Sequence, residues 1–418
     1  MAQRKKKPSG HQLEAIAHAQ FKNEFMRKLK LIVNICCGED IYSLIPHRIL
    51  EKVYFARYHA VQITVAEGHI IPVKFMNELK VVFAELMKKH TVGFSPMGHE
   101  ISLHDLVTVG FSIYSIVPIL EAEDIPNTNK ITSALNKYCL DRETQKNATM
   151  QFLKILLTIG FDMSNIENRF YWFDYTLTDH DESKHRIDNH VRIYTDVPKT
   201  ICVKIDGVSR PALRLGWANF LQGMTWFTLR PSLLNISGVP DDQPMEVYIQ
   251  SHALNRFRER TDGIYDFVAQ EYIYHSFINP KVCFDRNHNL LIEYRILDSK
   301  AGYFRFDIVG NIIVVKTFLF LTNSGTPEGD LLSKNTGLKI LDMKYLTIDK
   351  LSAFMSSDIG NNAQINKIFT DAGCQSLFEL YAKLAVICTK HSNQTPFAHM
   401  LDYIGINKES ITETITAE

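Results

Sequence analysis

The sequence predicts an α+β protein: a helical N-terminal domain, a β-rich middle with a helix-plus-antiparallel-meander module, and a helical C-terminal extension. Three observations predict it. Apolar residues recur at intervals of three and four from His11 to about Gly160, the period of a helix face. After Gly160 the texture turns to aromatic and β-branched alternation, the period of strands. Beyond Gly325 the helical period returns. The expected domains are 1–160 (helical), 161–244 (β-rich), 245–325 (the module) and 326–418 (helical).

In the first domain the runs LEAIAHAQFKNEFMRKLKLIV, HRILEKVYFARYHAVQI and VKFMNELKVVFAELMKKH read as amphipathic helices, punctuated by Gly38, Gly68, Pro72 and the Gly93–Gly98 stretch. A further helix, SALNKYCLDRETQKNATMQFLKILLTIG, closes at Gly160. The middle supplies FYWFDYTLTDH, VRIYTDV and TICVKIDGV as short strands between Pro198, Gly207 and Pro211. SLLNISGVPDDQP reads as a loop. Met245–Ile249 is a brief strand, followed by a helix that Ser251 can cap. A second helical stretch, DFVAQEYIYHSF, leads to four strands near 281–285, 290–297, 302–309 and 312–321, with turn chemistry in DRNHN, LDSKAG and VGN. The C-terminal helices are expected over 347–355 and most of 364–404, before a frayed end, ESITETITAE.

Composition excludes several classes. With 46 Lys plus Arg against 46 Asp plus Glu, no whole-molecule field gathers nucleic acid or anionic lipid, so any anion site is local. The window 106–120 is apolar but shorter than the ~20 residues a bilayer needs, and reads as buried. The basic start Arg4–Lys7 lacks the apolar core of a secretory signal; it reads as a solubilising end of a cytoplasmic protein. Seven cysteines without Cys-x-x-Cys spacing read as buried thiols in a reducing interior. No cofactor or metal motif is present: His180, His185 and His190 are spaced by five, which puts neighbours on different faces, so DHDESKHRIDNH reads as a polar loop.

One constellation suggests chemistry. His252, Arg256 and Arg260 fall at about 0°, 40° and 80° around one helix, bordering the apolar side formed by Ala253, Phe257 and Ile264. Cleavage of RNA by its own 2′-hydroxyl needs a base, an acid and donors for a doubly charged phosphorane. Histidine exchanges a proton near neutrality, neighbouring guanidiniums favour its neutral form, and arginine forks match phosphate oxygens. Arg295, Arg305, Lys316 and Thr317 on the following strands are candidates for further phosphate contacts; alternation leaves their face open.

The string from Tyr248 to Arg260, YIQSHALNRFRER, with the second helix and a meander ending in IIVVKTF, resembles a small bacterial family with a His-Ala-x-x-Arg-x-x-x-Arg helix. That family is similar to BrnT-type toxins, among the barnase, EndoU, colicin and RelE-like ribonucleases. The resemblance covers about 80 residues, 246–325. It implies a metal-independent endoribonuclease fold of one or two helices on an antiparallel sheet, with RNA as partner, and carries the site role onto His252, Arg256 and Arg260.

The competing reading is a salt-bridged helix edge with Glu259, Asp262 and Asp266 as ready partners. The chain is then a non-enzymatic interaction or scaffold protein, its module catalytically silent, its helical ends holding a protein partner, an inhibitor or another copy. Trp172, Trp217 and Trp226 are read as core packers, and Asn323–Gly329 as a turn.

Overall fold

A computed structural model of the chain describes residues 10–384, except 38, 94–98, 126–127, 139–141, 182–185, 220–221, 235–241 and 356–361. The basic tip Arg4–Lys7, the expected helix beyond 384, the tail ESITETITAE, Cys139 and Cys388 lie outside the described residues. The architecture is mixed helix and sheet, with helical N- and C-terminal regions and a β-rich middle. The chain divides into two compact units, Met1–Gly160 with Trp172–Thr195, and Phe161–Tyr171 with Asp196–Glu418. The expected β-rich segment 161–244 is thus shared: most of its first two strands belongs with the helices and its later strands with the module.

The first unit contains α1 (Gly10–Cys37), α2 (His47–Phe55), β1 (Gln62–Val65), α3 (Val73–Lys89), β2 (Thr91–Gly93), β3 (Glu100–Ser102), α4 (Leu103–Thr108), α5 (Ile116–Ala122), α6 (Asn129–Tyr138), α7 (Arg142–Met163, entering the second unit), β4 (Phe170–Asp181) and β5 (Arg186–Asp196). Strand β1 runs parallel to β5, Gln62 opposite His190, in a sheet of order β1-β5-β4. Val191 and Ile193 are fully buried there, which fixes the register against a one-residue slip. The histidine-rich segment expected as a loop lies mostly within β4 and β5, with 182–185 outside the described residues. Alternating polar residues suit a hairpin arm as well as a loop, so composition was ambiguous there. The apolar stretch Leu103–Ala122 has the length and composition of a membrane span but is mostly buried within the unit. It is broken by a 3-10 turn at Gly110–Ser115.

The second unit is built on an eight-stranded sheet. Its strands are β6 (Thr200–Ile205), β7 (Val208–Arg214), β10 (Thr228–Leu229), β11 (Met245–Gln250), β12 (Val282–Phe284), β13 (Leu290–Ile296), β14 (Ser299–Val309) and β15 (Ile312–Phe320); β8 (Gly216–Asn219) and β9 (Gly223–Trp226) form a separate hairpin. The order is β12-β13-β14-β15-β11-β7-β6, with β10 also on β11. The four strands expected after the helices form the antiparallel meander, and β11 joins it in parallel beside β15.

Between β11 and β12 stand α8 (Ser251–Arg260) and α9 (Asp266–Ile278). Phe257 of α8 is buried, with ring centroids 5.1 Å from Tyr294, 5.5 Å from Phe304 and 5.1 Å from Phe318. Phe277 of α9 adds a contact to Phe304 at 5.6 Å. This aromatic cluster anchors both helices to one face of the sheet, with geometry that adds to the area each ring buries.

The C-terminal elements are α10 (Pro327–Thr336), α11 (Ile340–Tyr345), α12 (Leu351–Phe354), α13 (Ala363–Asp371) and α14 (Gln375–Leu384). The turn expected at Asn323–Gly329 covers only Asn323–Thr326, since Pro327–Gly329 already belong to α10. Thr326 caps α10 by accepting the Gly329 amide at 2.9 Å, and Pro327 opens the helix. Helix α14 meets the meander through Ser376, which donates to the Lys300 carbonyl at 2.7 Å, and Lys383, which donates to Ser299 Oγ at 2.8 Å. Buried Glu328 accepts from Tyr303 at 3.0 Å and pairs with Lys300. Among the described cysteines Cys36, Cys37 and Cys374 are buried as expected and Cys283 is half-buried, whereas Cys202 is exposed, because it alternates with inward-facing Val203 on terminal strand β6.

Candidate functional site

Helix α8 begins at Ser251 itself. Gln250 occupies the N-cap position and makes no side-chain capping bond, so the expected Ser251 cap is absent. The helix continues directly from strand β11, which orients its first turn without a capping side chain.

His252 stands exposed in that first turn. Partial desolvation and the guanidiniums of Arg256, Arg210 and Arg260 hold its pKa below the usual imidazole value. The ring is therefore neutral at pH 7, the form able to accept a proton. Arg210 is a contributor that sequence reasoning missed. It lies on β7, and only the antiparallel pairing of β7 with β11 brings it near α8; no local pattern announces that pairing.

The arginines of the ridge have internal partners. Arg256 Nη1 donates to the Glu259 carboxylate at 2.6 Å. Arg260 turns inward and donates to the Phe318 carbonyl. It lines a small cavity of about 140 Å³ with Asn323, Lys344 and Asp349. Asp349 is buried; burial raises its carboxyl pKa, while the Arg260 charge opposes that rise. Clefts that take organic ligands run to ~300–1,000 Å³, so the Arg260 cavity has room for water and not for a nucleotide. The neighbouring Arg258 pairs with Glu167, and Asp262 holds Ser352 through its amide at 3.0 Å and its hydroxyl at 2.9 Å.

The strand residues fall elsewhere. Phe304 packs under Phe257, so alternation along β14 turns Arg305 and Asp307 to the opposite face. Lys316 joins them there, donating to Asp307 and Asp206 at 2.8 Å each. The pairing explains this placement. Arg305 faces Thr317 while Phe306 faces Val315, so β15 carries an extra residue at Lys316. This β-bulge reverses the inward and outward sense of the strand. Thr317, opposite Arg305, also lies away from α8. Arg305 donates to Asn289 at 2.8 Å. Arg295 donates to Glu293 at 2.8 Å and to the Asp298 carbonyl at 2.7 Å. It borders a cleft of about 380 Å³ shared with Tyr272, His275 and Lys281.

The structure thus brings His252, Arg256 and Arg260 together on one ridge, while Arg210 acts on His252 through its charge. It places Arg305, Lys316 and Thr317 across the sheet, and Arg295 in a separate cleft. Among the described residues no group of three or more His, Cys, Asp or Glu side chains is placed to hold a metal. Comparison with protein-family models, curated proteins and solved structures finds no match to this chain.

Proposed function

We propose that the chain is a non-enzymatic interaction or scaffold protein of the cytoplasm, in which residues 245–325 keep a BrnT/RelE-like layout without its catalysis. The observation that carries this reading is the division of the cations. The sheet stands between the α8 ridge and Arg305, Lys316 and Thr317, and Arg256 and Lys316 are each satisfied by carboxylates. A phosphorane would have to displace these acids before any guanidinium could serve it. The helical ends offer apolar surface to a protein partner: Ile340 and Leu341 of α11 are 58% and 77% exposed, and Leu13, Ile16 and Phe21 of α1 are exposed as well. The test is RNA affinity, followed by fluorescence anisotropy at two salt concentrations. The scaffold reading expects weak binding that alanine at His252 or Arg256 leaves unchanged.

A second reading keeps one specific support. His252 is neutral and has Arg210 and Arg256 as neighbours, a combination suited to proton transfer beside a phosphate. On that reading the same alanine substitutions weaken RNA binding and reduce its salt dependence.

A further inference from the structure

The first unit holds a cavity of about 660 Å³ walled by α4 and the 3-10 turn after it, by α7 and by β4. It is open to solvent on one side, where Gln145 is exposed, and its volume lies within the ~300–1,000 Å³ of small-molecule sites. Its lining is aromatic and uncharged. Tyr58, Phe111, Phe152 and Tyr175 supply rings, and Gln145, Thr149 and Thr176 supply polar groups; among the described residues the lining holds no Asp, Glu, Lys, Arg or His. The rings brace one another in pairs, Tyr58 with Phe111 at 5.9 Å and Phe152 with Tyr175 at 5.5 Å. They are therefore held in place without an occupant. Burial raises the Tyr58 pKa, which keeps that phenol neutral and able to donate.

Among the described residues no counter-ion stands in this lining for a charged guest, which would lose part of its hydration on entry. Aromatic faces and edges instead suit a ring-bearing guest, with a few polar groups to fix its orientation. A second cavity, about 430 Å³, shares Val107 with the first and includes Lys80 and His104. Phe83 of its lining meets Phe152 of the first at 6.0 Å.

We infer that the 660 Å³ chamber is a binding site for an uncharged, ring-containing small molecule. The site is independent of the α8 ridge and of the scaffold reading. The test uses the full chain with the neutral fluorophore N-phenyl-1-naphthylamine and its anionic sulfonated analogue 8-anilinonaphthalene-1-sulfonate. The neutral probe should bind saturably, one per chain, and at least about tenfold more tightly than the sulfonate. Ala148→Phe fills the chamber from the helix side and Thr176→Trp from the strand side; each should lower the neutral probe's affinity by about tenfold or more. Hydrogen exchange of the unmutated chain reads the same site without a variant: the probe should slow exchange in 103–111 and 145–152. Non-saturable binding, equal affinity for the two probes, undiminished binding in a folded filling variant, or unchanged exchange in both segments overturns the inference.

Discussion

Arg256 donates to Glu259 at 2.6 Å, one turn further along the same helix, and this pair takes up the central cation of the α8 ridge. The pair is partly exposed, with side-chain exposures of 34% and 46%, so it contributes little to stability. Its consequence is electrostatic. Glu259 raises the His252 pKa while Arg256 lowers it. In an NMR titration His252 should therefore show a midpoint below the ordinary 6.5. Arg256→Ala should move the midpoint up toward 6.5, and Glu259→Gln should move it further down.

The same shift sets a pH dependence. The folded state binds the His252 proton less readily than the unfolded chain, so this group costs stability at acid pH. The cost is relieved as pH rises through the interval between the depressed folded value and 6.5. Urea unfolding of the parent and His252→Gln at pH 5 and pH 8 checks this: the substitution should stabilise at pH 5 relative to pH 8.

Asp105 behaves in the opposite sense. Bonds from His104 and from Lys28, the latter at 2.7 Å, bring its pKa to about 2. Its contribution is complete above the unfolded value of 3.8 and is lost as pH falls from there toward about 2. Asp105→Asn should flatten the acid limb of the stability curve in that window. An unchanged acid limb would mean that the His104 and Lys28 bonds to Asp105 do not act in solution.

The aromatic anchor of α8 is the costliest place to cut. Phe257→Ala removes three ring contacts at 5.1–5.5 Å from a buried site, and should lower stability by ~3–5 kcal/mol in denaturant unfolding. Gly329→Ala tests the α10 cap. A Cβ there would meet the Asn323 carbonyl oxygen at 2.0 Å, so the turn must shift, at a cost of ~1–3 kcal/mol.

Much of the second unit was legible because its signals are local. The turns DRNHN, LDSKAG and VGN set the meander, and alternation from Leu290 to Phe320 set its strands. The α8 stripe was readable from helical geometry alone. What stayed hidden depends on distant partners. Alternation cannot reveal that Lys316 is an extra residue in β15, since a bulge shows only in the register with β14. Arg210 approaches His252 through the pairing of β7 with β11. The grouping of Trp172–Thr195 with the helices reflects the parallel bond of β5 to β1, more than 120 residues earlier in the chain. Tyr58, Phe111, Phe152 and Tyr175 looked like ordinary core aromatics, because a pattern of apolar residues does not distinguish a filled core from a lined chamber.

On the proposed scaffold reading the ridge cleaves no RNA, because Arg256 and Arg260 are held by Glu259 and the Phe318 carbonyl and the sheet lies between them and Arg305, Lys316 and Thr317. Incubation of the purified chain with mixed RNA at pH 7, with and without chelator and beside His252→Ala, tests this most directly. The scaffold reading expects intact RNA in all four reactions. Chelator-insensitive cleavage by the parent chain that disappears in His252→Ala would contradict it and establish the ribonuclease reading instead.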